Sequence, residues 1–293
     1  MEGLEAVSAA VFKKCKEGDN PLYSEKDGWR DWPKSANQDE VLEWLNKLIE
    51  LFLTFAEEHG SAPKTRRKLI GYPVQPLQGS IANRKLDIGF VDNLTASESS
   101  QPYWLPILVP GELMSNLNTD TPSQAWFDLG KYTIEVFAAQ DTRRFVLGFP
   151  LCGSIMRLWE YDRVGGIASS AFDINKDGRQ FTLVMLGFLW MNEEQLGFDP
   201  TILMSDGKQY IEIVRNDETE RLIFEEPMRR ARCVAGRATT CWKAHREGDT
   251  SNPLSSKTRG STRNAMKKTN CCVKQRRKEW SMWPGTIIMR LFV

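Results

Sequence analysis

Residues 104–115, WLPILVPGELMS, form an apolar segment with the character of a buried β-strand, and Glu112 stands near its end. A second segment of this kind precedes it in residues 84–93, RKLDIGFVDN, where Asp87 stands at the start of the apolar run. Adjacent strands in one sheet can bring both carboxylates to the same edge. Carboxylate oxygens are the ligands that hard divalent cations such as Mg²⁺ take in proteins. Asp87 and Glu112 are therefore candidate metal ligands.

The segments around these two strands predict an α+β fold. Apolar residues at helical spacing predict helices over residues 38–58, 123–140 and 181–191. Further strands are expected over residues 68–72, 144–149 and 155–161. The order of helix, three strands, helix and two strands predicts a mixed sheet that is flanked by helices.

The pattern of apolar and polar residues changes near residue 200, where we place a domain boundary. Beyond it, short alternating segments predict antiparallel strands joined by turns: KQYIEIVR, ERLIFEE, ARCVAG and TTCWKA. Residues 1–200 are expected to form one α/β domain and residues 201–254 a smaller antiparallel unit.

The charge of the chain is distributed unevenly. Residues 255–293, called the basic tail below, contain ten Lys and Arg and one Glu. Of the 39 basic and 38 acidic residues in the chain, this leaves 29 basic and 37 acidic residues in positions 1–254. Long runs of like charge are usually solvated, so we expect a disordered tail that can bind polyanions nonspecifically, with an affinity that falls as salt rises.

The composition also bears on the cellular location of the protein and on the classes of partner that it can bind. The N-terminus lacks the pattern of a signal peptide, and the longest apolar run, residues 181–191, is too short to cross a bilayer. Six cysteines without CxxC spacing and two histidines indicate neither a disulfide framework nor a zinc site. We expect an intracellular protein, cytoplasmic or nuclear, with protein partners of unknown identity, no specific nucleic acid and no membrane.

The Asp87 and Glu112 arrangement resembles the PD-(D/E)xK nuclease fold, which holds Mg²⁺ with an Asp and a Glu-x-Lys pair. The position of the lysine is occupied by Met114 in this sequence. A methionine cannot bind a hard cation or orient a hydrolytic water. The sequence therefore favours a nuclease-like scaffold without nuclease activity, on which Asp87 and Glu112 are acids at strand ends. Gln124 and Tyr132 on the following predicted helix can support such a site.

A second acidic motif lies in residues 172–181, FDINKDGRQF. Asp173, Asn175, Asp177 and Gly178 match the first half of an EF-hand calcium loop. The twelfth position, where a glutamate completes the calcium shell, is Val184. The motif is therefore interpreted as a polar turn.

Four stretches resemble the fungal-type protein kinase family in their order and spacing. They are residues 140–175, QDTRRFVLGFPLCGSIMRLWEYDRVGGIASSAFDIN, residues 196–202, LGFDPTI, residues 209–213, QYIEI, and residues 236–244, GRATTCWKA. The resemblance implies an N-terminal region that contains a sheet, followed by the antiparallel small lobe of a protein kinase. It also implies ATP-dependent phosphorylation of protein Ser/Thr, with ATP and Mg²⁺ as cofactors. The residues at the nucleotide-binding positions are Gly236, Arg237, Thr239 and Lys257.

The sequence departs from the family pattern in ways that bear on activity. It contains no His-Arg-Asp and no Asp-Phe-Gly, the motifs that supply the catalytic and metal-binding groups of a protein kinase. The flanks of Lys257 are Ser255 and Ser256 where the family has Val-Ile, so no strand is expected to hold this lysine. We therefore predict an incomplete small lobe and a catalytically inactive chain that binds neither ATP nor Mg²⁺. An interaction module and a degenerate Mg²⁺-dependent nuclease-like domain remain as alternatives.

The genetic code offers an explanation for the basic tail. Codons for Ser255 to Thr262 can be read in the neighbouring frame as Val-Ile-Lys-Asp-Ser-Trp-Gln-Tyr, the family's continuation. The hypothesis is that residues 255–293 are an out-of-frame translation, which sequencing of the transcript around codon 254 tests.

Overall fold

The fold was analysed in a computed structural model. It describes residues 3–64, 67–72, 74–80, 82–92, 102–163, 165–215, 217–229 and 239–259, with the backbone alone for 226–229, 239–240 and 250–259. Four nucleotide-site and tail predictions fall wholly or partly outside this part of the chain: Gly236, Arg237, the ARCVAG strand and tail residues 260–293.

Helices account for much of the N-terminal part of the described chain. They are α1 (Leu4–Cys15), α2 (Gln38–Glu58), α3 (Ala125–Ala139) and α4 (Gly178–Trp190). The Asn37 side chain accepts a hydrogen bond from Asp39 N and caps the start of α2. Helix α1 was not predicted, whereas α2, α3 and α4 match the three predicted helices. No helix among the described residues has the length and apolar character needed to cross a membrane.

The N-terminal part also contains ten short strands among the residues described. They are β1 (Tyr23–Ser24), β2 (Gly28–Trp29), β3 (Arg67–Tyr72), β4 (Leu86–Asp92), β5 (Ile107–Met114), β6 (Phe145–Cys152), β7 (Ile155–Met156), β8 (Trp159–Asp162), β9 (Gly166–Ala168) and β10 (Phe172–Asp173). Strands β3 to β10 form one sheet, called the mixed sheet below. Its strands β5 and β6 are parallel and are joined through α3, and its other described pairs are antiparallel.

Helices cover both faces of the mixed sheet. Helices α1, α2 and α4 pack together over one face, where Ile88, Phe90 and Phe149 join the larger hydrophobic core. Helix α3 packs on the other face against β5 and β6, where Leu129 and Val136 contact the second core. The alternation of side chains along β6 divides its residues between these two cores. The predicted α+β fold, with a mixed sheet flanked by helices, is therefore confirmed.

The C-terminal part forms a separate antiparallel sheet, called the meander sheet below. Its strands are β11 (Leu203–Ser205), β12 (Lys208–Arg215), β13 (Glu218–Arg229), β14 (Thr239–Arg246) and β15 (Asp249–Arg259), and each pairs with its neighbour in sequence. Leu222, Phe224, Trp242 and Ala244 form a small buried cluster on it.

The meander sheet corrects two predictions about residues 255–259. Strand β15 continues past Leu254 and pairs Lys257 with Cys241, so the expectation that no strand holds Lys257 is wrong. The prediction of disorder is also wrong for residues 255–259. The reason is that cross-strand hydrogen bonding to β14 can hold a polar segment that has little strand pattern of its own.

Candidate functional site

Strand register brings Asp87 and Glu112 together. Ile88 pairs with Gly111 in the antiparallel pair of β4 and β5, which places Asp87 opposite Glu112 in the next step of the ladder. Asp87 Oδ2 accepts a hydrogen bond from Leu113 N at 3.1 Å, which ties the two strand ends together. A Cβ atom at Gly111 would lie 2.7 Å from Ile88 Cγ2 and from Phe149 Cζ, so a glycine is needed beside Glu112.

Burial dominates the electrostatics of this carboxyl pair. Glu112 is 5% exposed, and desolvation followed by the charge of Asp87 raises its pKa to about 9. Desolvation also raises the pKa of Asp87, against the lowering effect of the Leu113 N–H and of the Gln38 and Tyr132 side chains. Glu112 is therefore protonated at neutral pH.

Two side chains from the helices complete the surroundings of the pair. Tyr132 on α3 faces both carboxyl groups, and its own pKa is raised by burial first and by the charge of Glu112 second. Gln38, the first residue of α2, approaches Asp87 from the other layer. Glu112 Oε2 and Gln38 Nε2 are buried, and neither forms a hydrogen bond of regular geometry.

The sequence identified part of this cluster. Asp87, Glu112 and Tyr132 come together, whereas Gln124 is an exposed residue at the start of α3. Gln38 was missed, because only the tertiary packing of α2 brings it to strands that occur later in the sequence. The side chain of Met114 contacts the α3-side core and gives the cluster no charge.

The residues do not fit a Mg²⁺ site. Among the described residues, no group of three or more His, Cys, Asp or Glu is arranged to hold a metal ion. Glu112 is protonated at neutral pH, and the position of a lysine is occupied by Met114. Hard cations require ionised oxygen ligands, and this pair supplies them poorly. We derive no metal-dependent chemistry from the cluster.

Two of the four residues predicted to bind nucleotide, Thr239 and Lys257, lie on the described strands β14 and β15. Thr239 is the first residue of β14 and pairs with Arg259, and Lys257 pairs with Cys241. Farther along β14, Lys243 Nζ lies 2.7 Å from Glu225 Oε2, and His245 Nδ1 lies 3.1 Å from Glu225 Oε1. The hydrogen bond from Lys243 is the largest of the effects that lower the pKa of Glu225.

The loop that resembles half of an EF-hand has a structural role. Asn175 Oδ1 accepts a hydrogen bond from Trp29 N, and the carbonyl oxygens of Asn175 and Lys176 accept from the Tyr23 hydroxyl. Asp173 Oδ1 accepts from Asn175 N within the loop. These acceptors join the β1–β2 hairpin to the start of α4.

Comparison with known proteins gave one family. The family model described as fungal protein kinase matches residues 85–279, which are 195 of the 293 residues. The comparison with curated proteins gave no match. The comparison with solved structures also gave no match.

The match covers β4, β5 and the whole meander sheet. The out-of-frame hypothesis places the change of frame after Leu254. Both the family match and strand β15 continue beyond that residue. That hypothesis stays a prediction. Since the matched residues make up two thirds of the sequence, the chain belongs to the fungal protein kinase family.

Proposed function

We propose that this chain supplies the accessory α/β domain and the nucleotide-lobe strands of a fungal protein kinase, and that its 293 residues do not by themselves transfer phosphate. The observation that carries the proposal is the family match across both sheets, together with the position of Lys257 in β15. Protein kinases use ATP and Mg²⁺, and a lysine on the third strand of the small lobe contacts the ATP phosphates. Lys257 is our candidate for that residue, beside Gly236, Arg237 and Thr239.

Phosphoryl transfer also needs groups beyond this lobe. A catalytic Asp accepts the proton of the substrate hydroxyl, and a second Asp holds Mg²⁺ against the β- and γ-phosphates. The motifs that carry these two residues, His-Arg-Asp and Asp-Phe-Gly, do not occur in the 293 residues. The phosphate-covering segment before β14 also has a single glycine, Gly236, between residues 230 and 241. Fewer glycines limit the approach of backbone N–H groups to phosphate.

A phosphotransfer assay tests this proposal. The purified chain is incubated with radiolabelled ATP, Mg²⁺ and casein, and the Lys257→Ala variant is assayed in parallel. We expect both proteins to give the same background of labelled casein and of labelled chain. Incorporation by the wild-type chain that the Lys257→Ala variant lacks would overturn the proposal, because a contaminating kinase would label both reactions equally.

We further propose that the α/β domain is a nuclease-like scaffold that serves in protein contacts. The convergence of Asp87 and Glu112 at the ends of β4 and β5 supports the scaffold, since adjacent strand ends carry the acids in PD-(D/E)xK nucleases. The protonated state of Glu112 and the methionine at position 114 favour a structural role for the pair. A groove of about 490 Å³ beside α2, lined by Trp44, Leu48 and Leu51, is a surface that such contacts can use.

A further inference from the structure

The groove beside α2, called the α2 groove below, has an apolar floor and a charged rim. It has a volume of about 490 Å³ and lies between α2 and the segment of residues 22–33. Its apolar lining residues are Leu22, Pro33, Trp44, Leu48 and Leu51. Leu51 is 37% exposed, whereas most apolar side chains of α2 are buried. A concave surface with an exposed leucine is a place where a partner can bury apolar area.

Hydrogen bonds and ring contacts hold the two walls of the α2 groove in place. Trp44 Nε1 on α2 donates to Arg30 O on the opposite wall at 3.0 Å. Within that wall, Arg30 N donates to Leu22 O at 2.8 Å. The Trp44 ring packs edge-on against Trp32, with 4.8 Å between the ring centres. The groove is therefore preformed, and a partner that binds it does not have to order its walls.

The α2 groove has the length of a short helix. The groove residues of α2 follow one stripe of that helix: Glu40, Glu43, Trp44, Lys47, Leu48 and Leu51. Glu40 and Leu51 are separated by a distance of about 16 Å along the helix axis, which is about three helical turns. A helix that binds in a groove of this kind presents apolar residues at positions i, i+3 or i+4, and i+7.

Acidic side chains dominate the charge of α2. The helix contains one lysine, Lys47, and its acidic residues are Asp39, Glu40, Glu43, Glu50, Glu57 and Glu58. Lys47 Nζ lies 2.6 Å from Glu43 Oε1, so the positive charge of this lysine is offset within the helix. The exposed face of α2 therefore carries a negative charge.

The rest of the rim does not reverse this charge. On the opposite wall, Arg30 Nε lies 3.5 Å from Asp31 Oδ2. Glu40 Oε2 accepts a hydrogen bond from the Ser35 hydroxyl at 2.7 Å, and no cation among the described residues pairs with Glu40. A partner that places Lys or Arg beside Glu40 is therefore favoured by charge complementarity.

We propose that the α2 groove binds an amphipathic helix of a partner protein. The apolar stripe of that helix packs on Leu48 and Leu51, and its flanking Lys or Arg residues face Glu40 and Glu43. The inference rests on the proposed role of the α/β domain in protein contacts and names the chemistry of the partner. A nucleic acid does not fit, because its phosphates would meet the carboxylates of the rim.

A labelled peptide tests the α2 groove. The probe is a synthetic helix of about fourteen residues with a leucine stripe flanked by lysines, and fluorescence anisotropy follows its binding to the full chain. We expect saturable binding with a Kd below about 100 μM that weakens as salt rises. A peptide with glutamates in place of the lysines, and a peptide of the same composition in scrambled order, are each expected to bind at least about tenfold more weakly.

Matched variants separate groove binding from general attraction of a basic peptide to an acidic protein. Leu51→Asp places a charge on the apolar floor and is expected to weaken binding at least about tenfold. Leu105→Asp adds the same charge outside the groove, at a residue that is 57% exposed, and is expected to keep the wild-type affinity. On the rim, Glu40→Lys is expected to weaken binding about threefold, whereas Glu57→Lys, outside the groove, is expected to keep it. Thermal unfolding checks that the variants are folded.

Hydrogen exchange of the full chain with and without the probe locates the contact, and protection of α2 is the expected result. Protection of another face within the first 200 residues would overturn the groove but would leave the proposed role in protein contacts intact. Protection confined to residues beyond 200 would count against both. The absence of saturable binding, or equal affinity in the Leu51→Asp and Leu105→Asp variants, would also overturn the groove proposal. A wild-type dimer that Leu51→Asp dissociates in sedimentation would assign the groove to a second copy of the chain instead.

Discussion

Glu112 couples the stability of the folded protein to pH. Burial and Asp87 raise its pKa from 4.5 to about 9, so the folded protein holds a proton that the unfolded chain releases. The contribution of this group to the free energy of unfolding is therefore greatest below pH 4.5 and is lost as the pH rises towards 9. The Asp87 charge strengthens the effect, because two adjacent carboxylates resist simultaneous ionisation.

The Glu112→Gln variant keeps the shape of the protonated side chain and removes its titration. Relative to the wild type, we expect the variant to gain on the order of 1–2 kcal/mol of stability between about pH 5.5 and about pH 8. Urea unfolding at both pH values measures this difference, with the exposed Glu57→Gln variant as the control. A stability difference between variant and wild type that does not change with pH would contradict the assigned protonation. Addition of Mg²⁺ is expected to leave the wild-type curves unchanged.

At the residue scale, the sequence was sufficient to predict that Asp87, Glu112 and Tyr132 lie close together. Asp87 and Glu112 were identifiable because their strands are consecutive in the chain, and Tyr132 because the next helix must cross back over those strands. Gln38 could not be identified in this way. Its surroundings are created by packing between layers, which a local pattern of polar and apolar residues does not encode.

At the scale of elements, the loop of residues 173–177 is held to the β1–β2 hairpin by hydrogen bonds. The Asn175→Ala variant removes the side-chain oxygen that accepts a hydrogen bond from Trp29 N. The Trp29 side chain is buried, so water cannot easily replace this acceptor. We expect a loss of about 1–2 kcal/mol in the free energy of unfolding. Denaturant unfolding followed by tryptophan fluorescence measures this loss.

The adjacent Lys176→Ala variant is a matched control, because that side chain is 83% exposed. Its stability is expected to stay within about 0.5 kcal/mol of the wild type. Equal losses in the two variants, or a rise in Tm on addition of Ca²⁺, would contradict the structural role of Asn175.

Helices were easier to predict from sequence than the last strand. Helix α2 has a continuous apolar stripe and ends before Gly60 and Pro63, so its bounds followed from the residues. Strand β15 has the sequence DTSNPLSSKTR, which has no alternating apolar pattern. Its pairing with β14 holds it in the sheet, and pairing of this kind depends on the neighbouring strand more than on intrinsic propensity.

At the scale of the whole molecule, the two sheets have cores of very different size. The described residues before position 200 form two extensive clusters of buried side chains, whereas the described part of the meander sheet has one small cluster around Phe224 and Trp242. Regions with few buried apolar contacts open more readily. The part of the chain beyond residue 200 is therefore expected to be the less stable one.

Limited trypsin digestion followed by mass spectrometry measures this difference. We expect early cleavage at exposed sites such as Lys208 and Arg215, and a resistant fragment that retains the α/β domain. Early cuts within α2 or α3 at the same rate as those in the meander sheet would contradict the expected order of stability. Digestion of the urea-unfolded chain shows which sites trypsin can cut when no structure protects them.

The sequential order of strands in the meander sheet bears on how the protein acquires its structure during synthesis. Each of its strands finds its partner in the segment made just before it, so pairing can proceed as the chain leaves the ribosome. The α/β part of the fold cannot form by sequential pairing alone. The Tyr23 hydroxyl donates to the carbonyl oxygens of Asn175 and Lys176, which are synthesised 152 and 153 residues later. Arg67 Nη1 likewise donates to the carbonyl oxygen of Phe188, 121 residues later in the chain. We therefore expect the α/β part of the fold to be completed only after α4 has been translated.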